Sequence, residues 1–405
     1  MEKVLKKQKI NEEKRVTNTE KFFVECVKRG IKGEKIDCIP AGLDYQQFHR
    51  LCALHSMSVA VLRAVEAVKD ALPQKILSAL EHAAYRHLTY DVQSARDIDM
   101  FLAALEARGF RYMPLKGYHL KKLYPSSDMR YASDFDILID ASRLKELRKF
   151  LNEYGLKTMR RDEHHDIVYH PENKTVFELH KTMFVGAFEE YFGEREKGFE
   201  GARVKEGYKF FYEMDKERFY LSILAHSAQH FVIGGGVGIR HLSDVYLYRK
   251  TYTLDDEYLN SELEKCGLKR FKEEFEKVAY FLFDDVDAPP FTEKLAEHIL
   301  SSAILANSEK KVASEVVSVG ESEHRKAQKK AFWRKVFLPT EQMKFQFPVL
   351  KKAIWLLPVF HIVRWIKVIF TRPQSVGRLK EFSFVSAEDM AYIKELRTGL
   401  GIEKL

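Results

Sequence analysis

The spacing of hydrophobic residues changes twice along the chain. Up to about residue 105 apolar residues recur at helical spacing, and the last helix of this part is predicted to begin at Asp91 and to end at Gly109. Between 106 and 215 short apolar runs alternate with polar residues, which predicts strands, and beyond Glu217 the spacing is helical again. The pattern therefore predicts an α+β fold, in which a small sheet with flanking helices lies between N-terminal and C-terminal all-helical regions.

One predicted strand carries two carboxylates. Asp134 and Asp136 share one face of it, because strand side chains alternate with period two. Phe135, Ile137 and Ile139 point to the opposite face, which we expect to be buried. Adjacent carboxylates repel each other, and a divalent cation with oxygen ligands is the usual compensating charge. This motif predicts the metal-binding half of an active site.

A later pair of predicted strands offers a third acid. Segments 165–170 and 175–180 are separated by the turn-like sequence at 171–174, so we expect them to pair with each other. Glu178 and His180 share one face of the second segment. Three acids on neighbouring strands can bind one or two divalent cations, and we expect Mg²⁺ or Mn²⁺.

A phosphate site is predicted at the end of the strand that covers residues 110–115. Lys116 and Gly117 follow this strand directly, and residues 118–124 have helical spacing up to Pro125. Backbone N–H groups at such a strand-to-helix turn can face an anion, and Lys116 adds a positive charge. The alternative is a tight turn with a lysine on the surface, and for the Lys-Gly pair alone that alternative is favoured.

Two histidines with helical spacing form a weaker candidate. His226 and His230 are four residues apart on one predicted helix face, a spacing that can bind a metal ion. No third ligand accompanies them in the sequence, so ordinary, partly buried histidines are the favoured interpretation.

A glycine-rich segment at 234–238 is not preceded by a strand, so it does not fit a dinucleotide-binding loop. We interpret it as a flexible connection between two helices. The second of these helices carries Arg240, His241 and Asp244, which could face the cleft, although an ion pair outside the site is an equal alternative.

Composition limits the class of protein. The 405 residues are 45% hydrophobic and carry a net charge of +8, which favours anionic partners without choosing among them. The four cysteines show no C-x-x-C pair and no dense pattern, so a zinc ribbon and a disulfide framework are not expected. The charged N-terminus lacks the apolar segment of a secretory signal, and no charge-free apolar run of about 18 residues is present. We expect a cytoplasmic protein.

The C-terminal part has a local excess of positive charge. Between 344 and 380 there are eight Lys and Arg residues and no Asp or Glu. Within 347–370, His361, Arg364 and Lys367 recur every three residues. Such a basic amphipathic helix can make peripheral contact with an anionic membrane surface. The favoured alternative is a helix packed on the preceding domain with its cations in water.

The motifs together resemble a known family. The motifs are Leu115-Lys116-Gly117, Tyr124-Pro125, Arg130, Asp134-x-Asp136 and Glu178-x-His180. In this combination the chain resembles the uncharacterised nucleotidyltransferase family of the polymerase-beta-like superfamily, whose pattern is LKG, YP, R-x-x-x-D-x-D and a strand ending in E/D-L-H.

The resemblance implies a small mixed sheet of the nucleotidyltransferase type and a division of labour among the site residues. Asp134, Asp136 and Glu178 would be the catalytic, metal-binding acids. The residues implied to bind the nucleotide phosphates are Lys116, Gly117, Arg130 and Ser133. His180, Arg240 and Asp244 would line the cleft. The wider superfamily has a Gly-Ser pair where this chain has Lys-Gly.

Two functions are therefore expected as alternatives. The first is a metal-dependent transfer of a nucleoside monophosphate from an NTP, with ATP as the first candidate, to a hydroxyl acceptor with release of pyrophosphate. The second is a catalytically weak or inactive nucleotide-binding or regulatory module on a membrane surface or on nucleic acid, although no RNA-binding motif indicates nucleic acid.

Four regions are expected on this basis. An N-terminal helical region (1–105) precedes the nucleotidyltransferase-like catalytic core (106–215), a helical domain that closes the cleft (216–330), and a basic, amphipathic C-terminal helical segment (331–405). The polar stretch 320–332 has the composition of a linker.

Overall fold

The computed structural model describes residues 17–193, 198–302, 308–371, 376–403 and 405, so the charged stretch 1–16 lies outside the described residues. The helices before the sheet are α1 (Asn18–Lys32), α2 (Tyr45–Leu54), α3 (Ser58–Ala64) and α4 (Gln74–Ala107). The strands and intervening helices are β1 (Tyr112–Pro114), α5 (Gly117–Leu120), β2 (Phe135–Ile139), α6 (Leu144–Glu153), β3 (Lys157–Arg161), β4 (His165–Tyr169), β5 (Val176–His180), α7 (Glu189–Phe192), β6 (Ala202–Val204) and β7 (Tyr212–Met214). The later helices are α8 (Lys216–Gly234), α9 (Ile239–Thr251), α10 (Asp256–Lys265), α11 (Lys269–Asp284), α12 (Pro290–Leu300), α13 (Ser308–Val317), α14 (His324–Val336), α15 (Thr340–Gln346), α16 (Leu357–Thr371) and α17 (Ala387–Leu400).

A five-stranded sheet in the order β1-β2-β5-β4-β3 forms the centre of the fold. β2 and β5 are parallel, whereas the other three neighbouring pairs are antiparallel, so the sheet is mixed. The turn-like segment 171–174 joins the antiparallel pair β4 and β5, as its sequence predicts. The α+β fold with a small mixed sheet between helical regions is thereby confirmed.

The two faces of the sheet differ in polarity, because strand side chains alternate. Phe135, Ile137 and Ile139 are buried on the back, as predicted, and they belong to a hydrophobic core with α4 and α6. Within this core the rings of Phe101 and Phe177 are 4.6 Å apart between centroids. The front of the sheet carries the acidic residues and faces helices α8 and α9.

Helix α4 is longer than its sequence predicts, because it begins at Gln74 rather than at Asp91. Asp91 lies inside the helix, where its carboxylate accepts hydrogen bonds from Lys121 and Ser127 instead of capping the N-terminus. The predicted end is confirmed, since Gly109 follows the helix with φ +70°.

The glycine-rich segment joins α8 to α9, as predicted, but it is buried and closely packed. A Cβ on Gly235, whose φ is +79°, would lie 2.3 Å from the carbonyl oxygen of Lys310. A Cβ on Gly236 would lie 2.9 Å from Nε2 of His298. Only glycine fits these positions, so the segment holds α9 at a defined angle to α8 rather than acting as a flexible hinge.

The C-terminal part departs from its predictions in two ways. Residues 324–332 of the predicted linker belong to α14, in which Ala327 and Ala331 are buried. His361 and Arg364 on helix α16 point toward the protein. The prediction that the cations of this helix lie in water is therefore wrong for Arg364.

One described helix, spanning Ile354–Thr371, is long and apolar enough to cross a membrane by length and composition alone, with a mean hydropathy of 1.6. The sequence alone does not predict such a segment, because no apolar run of about 18 residues is free of charge. This segment contains the cations Arg364 and Lys367, and its apolar character remains high despite them.

Candidate active site

A cavity of about 500 Å³ lies between the front of the sheet and helices α8 and α9. We call it the central cavity. All ten residues predicted for the site line it, namely Lys116, Gly117, Arg130, Ser133, Asp134, Asp136, Glu178, His180, Arg240 and Asp244. A larger cavity of about 960 Å³, lined in part by α1 and α11, lies elsewhere and contains none of these residues.

The acids of the central cavity come from the two parallel strands. Asp136 on β2 is the register partner of Glu178 on β5, so their side chains project from adjacent positions on the front of the sheet. Asp134 immediately precedes β2 and lines the same cavity. The three carboxylates therefore line one cavity, with Asp136 and Glu178 paired across the two parallel strands.

Asp136 is held by two nitrogen donors. Nε2 of His180 donates to its Oδ1 over 2.8 Å, and Nζ of Lys116 donates to the same oxygen over 3.2 Å. Burial raises the pKa of Asp136, but Lys116 and His180 outweigh burial and hold the pKa below its ordinary value. Asp136 is therefore an ionised carboxylate at neutral pH.

The other two acids are less well compensated. Asp134 keeps exposed surface, yet desolvation by the surrounding protein raises its pKa, and the neighbouring Asp136 raises it further. Burial also raises the pKa of Glu178, with a contribution from Asp136 in the same direction. A divalent cation would relieve this repulsion, and its oxygen ligands would be these carboxylates. The three acids are therefore candidate oxygen ligands for Mg²⁺ or Mn²⁺.

Histidines lie beside the acids on the sheet. His165, Glu178 and His180 have ligand atoms that all lie within 4.8 Å of one another. Within the described part of the chain, the carboxylate oxygens of Asp134, Asp136 and Glu178 are not all this close together. Sequence reasoning missed His165, although its position on β4 is the register partner of His180.

Lys116 follows β1 in a strained conformation. Its φ of +26° lies in the left-handed region, which is costly for a residue with a side chain. The next residue, Gly117, begins the four-residue helix α5, and a Cβ there would lie 3.1 Å from Nη1 of Arg130. The predicted strand-to-helix turn is present, and it directs the ammonium of Lys116 toward Asp136.

Arg130 lies at the cavity wall in a buried ion pair. Its Nε and Nη2 donate to the two carboxylate oxygens of Asp244 over 2.6 and 2.8 Å. The hydroxyl of Tyr124 donates to the same carboxylate over 2.9 Å. The predicted role of Arg130 in binding phosphate stays a prediction, because in this arrangement its guanidinium mainly positions helix α9.

Arg240 and Ser133 complete the predicted residues. Nη1 of Arg240 donates to the carbonyl of Tyr131 over 2.5 Å, and burial lowers the pKa of Arg240. The side chain of Ser133 is exposed, and its carbonyl accepts a hydrogen bond from Tyr90 over 3.0 Å. Both residues border the loop that leads into Asp134.

Three further histidines line the cavity opposite the acids. His226 and His230 on α8 and His241 on α9 have ligand atoms within 4.8 Å of one another. The sequence shows the first two at helical spacing, but only the packed glycine segment brings His241 to them.

The chain was compared with known proteins. A family model described as "Uncharacterised nucleotidyltransferase" matches residues 41–282, a range that contains every residue lining the central cavity. Searches of curated proteins and of solved structures found no match for the chain. Because the family model covers more than half of the sequence, the chain belongs to the family of uncharacterised nucleotidyltransferases.

Proposed function

We propose that the protein is a metal-dependent nucleotidyltransferase that moves a nucleoside monophosphate from an NTP, with ATP as the first candidate, to a hydroxyl acceptor. The observation that carries this proposal is the register pairing of Asp136 with Glu178, which together with Asp134 lines one cavity with three carboxylates. The family assignment supports the transferase class, and the cavity chemistry supports the metal.

The proposed roles follow from the position of each side chain. Asp134, Asp136 and Glu178 would hold Mg²⁺ or Mn²⁺, which when bound neutralises the triphosphate and makes the acceptor hydroxyl more acidic. The acceptor oxygen forms a bond to the α-phosphorus while the bond from that phosphorus to the bridging oxygen of the β-phosphate breaks. Glu178 would either share the metal or, as the alternative, accept the proton of the hydroxyl as a general base.

Lys116 would stabilise the departing pyrophosphate. Its ammonium lies 3.2 Å from Asp136 and can reorient toward phosphate oxygens when a nucleotide enters the cavity. Arg130 would act mainly as a positioning residue through Asp244, and Arg240 adds positive charge from the opposite wall. The reaction needs positioning and electrostatic stabilisation, without a covalent intermediate.

The test compares the wild type with the double variant Asp134→Asn/Asp136→Asn. Each protein is incubated with one labelled NTP, Mg²⁺ or Mn²⁺ and a cell extract as the acceptor source, and product masses are measured. Binding of NTP with Mg²⁺ is measured separately by calorimetry. The exposed Asp70→Asn variant is the matched control, because it removes an acid outside the cavity. The proposal is dropped if the wild type neither binds the nucleotide nor forms a product that the double variant loses.

A nucleotide-binding module without turnover is the second candidate. Lys116 and Gly117 stand where the wider superfamily has Gly-Ser, and Asp136 is already paired with Lys116 and His180. Such a module would be stabilised by NTP only when Mg²⁺ is present, yet would give no product with any acceptor. Thermal unfolding with and without the metal, together with the product masses, distinguishes the two functions.

A further inference from the structure

We propose that His226, His230 and His241 form a second metal site, selective for Zn²⁺, on the wall of the central cavity opposite the three acids. This site is separate from the proposed Mg²⁺ site, and the proposal does not depend on nucleotidyl transfer. Its ligands are imidazoles, which zinc prefers, whereas Mg²⁺ prefers oxygen.

The three rings converge from two helices. His226 and His230 are four residues apart on α8, and their Nε2 atoms are 3.1 Å apart. His241 lies near the start of α9, with its ring centroid 6.0 Å from that of His226 and 5.7 Å from that of His230. Nitrogen ligands of a tetrahedral Zn²⁺ ion are roughly 3.3 Å apart, given bonds of about 2.0 Å. Small rotations of these side chains therefore suffice to bring all three nitrogens to one ion.

The hydrogen bonding of the rings is compatible with a metal ion. The Nε2 atoms of His226 and His230 bond to each other, so the proton between them must shift when both nitrogens bind an ion. Nδ1 of the buried His241 has no hydrogen-bond partner among the described residues.

Four cations act on the rings, namely Lys116, Arg130, Arg240 and Lys311. Lys116 pairs with Asp136, Arg130 pairs with Asp244, and Arg240 donates to the carbonyl of Tyr131. The positive charge opposing a Zn²⁺ ion is thus partly compensated. Three protein ligands leave the fourth position of a tetrahedral ion open to the cavity, as in catalytic zinc sites, where a phosphate or acceptor oxygen could bind.

The first measurement is the metal content of the full chain. The protein is stripped of metal, and Zn²⁺ or Co²⁺ alone is added back. We expect one ion per chain and a visible Co²⁺ spectrum typical of a tetrahedral site. Because loss of an outer partner alone weakens metal binding by about 10–100-fold, we expect His230→Gln and His241→Gln to raise the Zn²⁺ dissociation constant by about 100-fold or more.

Matched variants locate the ion. Asp134→Asn/Asp136→Asn should keep the Zn²⁺ affinity, and so should the control His82→Gln, which changes an exposed histidine. Circular dichroism of each metal-free variant checks that it is folded. The proposal is overturned if the wild type binds no Zn²⁺ at micromolar concentration, or if the ion survives His230→Gln and His241→Gln but is lost in His165→Gln/His180→Gln.

A different observation carries a second proposal: we infer that helix α16 lies on the surface of a bilayer that contains anionic phospholipid. The exposed side of this helix is apolar and its buried side carries His361 and Arg364, which is the reverse of the usual arrangement in a soluble domain. Its exposed apolar residues, with those of the turn before it, are Ile354, Trp355, Val359, Ile362, Val363, Ile366, Ile369 and Phe370. An uncovered apolar face of this length indicates an interaction surface.

The polar residues fix which face points outward. Nη2 of Arg364 donates to the carbonyl of Lys335 over 2.8 Å, and Nε1 of Trp365 donates to the carbonyl of Val336 over 2.8 Å. His361 is buried against Phe337, with ring centroids 5.3 Å apart. These contacts hold the helix along the protein, which favours a helix that lies in the membrane surface over one that crosses it.

The charge around this face selects anionic lipid as the partner. The sequence from 344 to 380 has eight basic residues and no acid, and of the described ones Lys344 pairs with Glu341 outside this range. Lys351, Lys352 and Lys367 are exposed near the apolar residues and can reach phosphate headgroups while the apolar face enters the acyl region.

The test is sedimentation of the full chain with vesicles of phosphatidylcholine alone or with phosphatidylglycerol, at low salt. We expect binding to the anionic vesicles and a blue shift of tryptophan fluorescence. Ile362→Ser/Phe370→Ser should weaken binding by more than about tenfold, because each side chain would bury apolar surface in lipid. The control Val92→Ser changes an exposed apolar residue of α4.

Two results would overturn the membrane proposal. One is equal sedimentation of the wild type with both kinds of vesicle and with no vesicles. The other is a wild-type dimer in ultracentrifugation that Ile362→Ser/Phe370→Ser converts to a monomer without any loss of lipid binding, which would assign the face to a second copy of the chain.

Discussion

The guanidinium of Arg130 and the carboxylate of Asp244, 114 positions apart in the chain, form a bidentate ion pair with N–O distances of 2.6 and 2.8 Å. Both side chains are at least nine-tenths buried. The pair ties the loop that enters β2 to helix α9. It therefore connects the acids on the sheet to the histidines and Arg240 on the opposite side of the central cavity.

Removing one partner of this pair should be costly. We expect Asp244→Ala to lower the free energy of unfolding by about 3–5 kcal/mol, because the charge of Arg130 would stay buried without a partner. The apolar double variant Arg130→Met/Asp244→Leu should lose clearly less free energy of unfolding than the sum of the losses for Arg130→Met and Asp244→Leu measured singly. Urea unfolding at pH 7 measures both. A loss of less than about 1 kcal/mol for Asp244→Ala would contradict a structural role for the pair.

Lys116 combines a useful charge with an unfavourable backbone conformation. Lys116→Met and Lys116→Gly both remove the ammonium, so both should weaken NTP binding. Glycine accepts the φ of +26° at little cost, and relief of strain exceeds its entropic penalty. We expect the free energy of unfolding, measured with urea, to be about 1 kcal/mol higher for Lys116→Gly than for Lys116→Met. Equal stability of the two variants would show that the backbone is unstrained.

Glu178 should lower stability when no metal is bound. Its pKa is raised in the folded state, so its ionisation opposes folding, and stability is lost as the pH rises through that pKa. In EDTA at pH 7.5 we therefore expect Glu178→Gln to have a higher thermal midpoint than the wild type. The difference should vanish below about pH 4, where the glutamate is protonated in both states. Added Mg²⁺ should stabilise the wild type more than the variant.

His55 provides a pH dependence outside the site. Its Nε2 donates to the carbonyl of Leu300, and its Nδ1 accepts from the N–H of Ile239, so the neutral ring is fully bonded. Burial lowers its pKa from 6.5 to about 4. Because the unfolded chain binds the proton first, stability is present above pH 6.5 and falls as the pH decreases toward 4.

Between pH 6.5 and pH 5 this histidine should contribute a loss of about 2 kcal/mol. His55→Gln should reduce the slope of unfolding free energy against pH over this interval, whatever its effect on stability at pH 7. The exposed His82→Gln is the control and should leave the slope unchanged. An identical slope in the wild type and His55→Gln would mean that another group titrates in this range.

The acidic side of the site could be predicted because its geometry is local. Strand periodicity fixes the relation between Asp134 and Asp136, and the turn before Glu178 fixes the pairing of its strand. The approach of His241 to His226 could not be predicted. It depends on the buried path of the chain through Gly235 and Gly236, which has no periodic signal.

The C-terminal part shows a different limit of the sequence. Periodicity identifies a polar stripe on α16, but it does not state which side of a helix faces the protein. The contacts of Arg364 with α14 decide this orientation. Likewise, the polar composition of 320–332 suggested a linker, whereas two alanines, Ala327 and Ala331, provide the small apolar surface that lets α14 pack.

Helix α4 spans 34 residues, about 50 Å at the usual rise of an α-helix. Ile76 and Leu80 near its start belong to the core shared with the N-terminal and later helices, whereas Phe101 and Leu105 near its end cover the back of the sheet. The single helix α4 therefore packs against both hydrophobic cores. Unfolding of either half of the helix would destabilise the other half, so residues from α1 to the sheet should unfold in one cooperative step. A fragment that begins after α4 would expose the apolar back of the sheet to water and should aggregate.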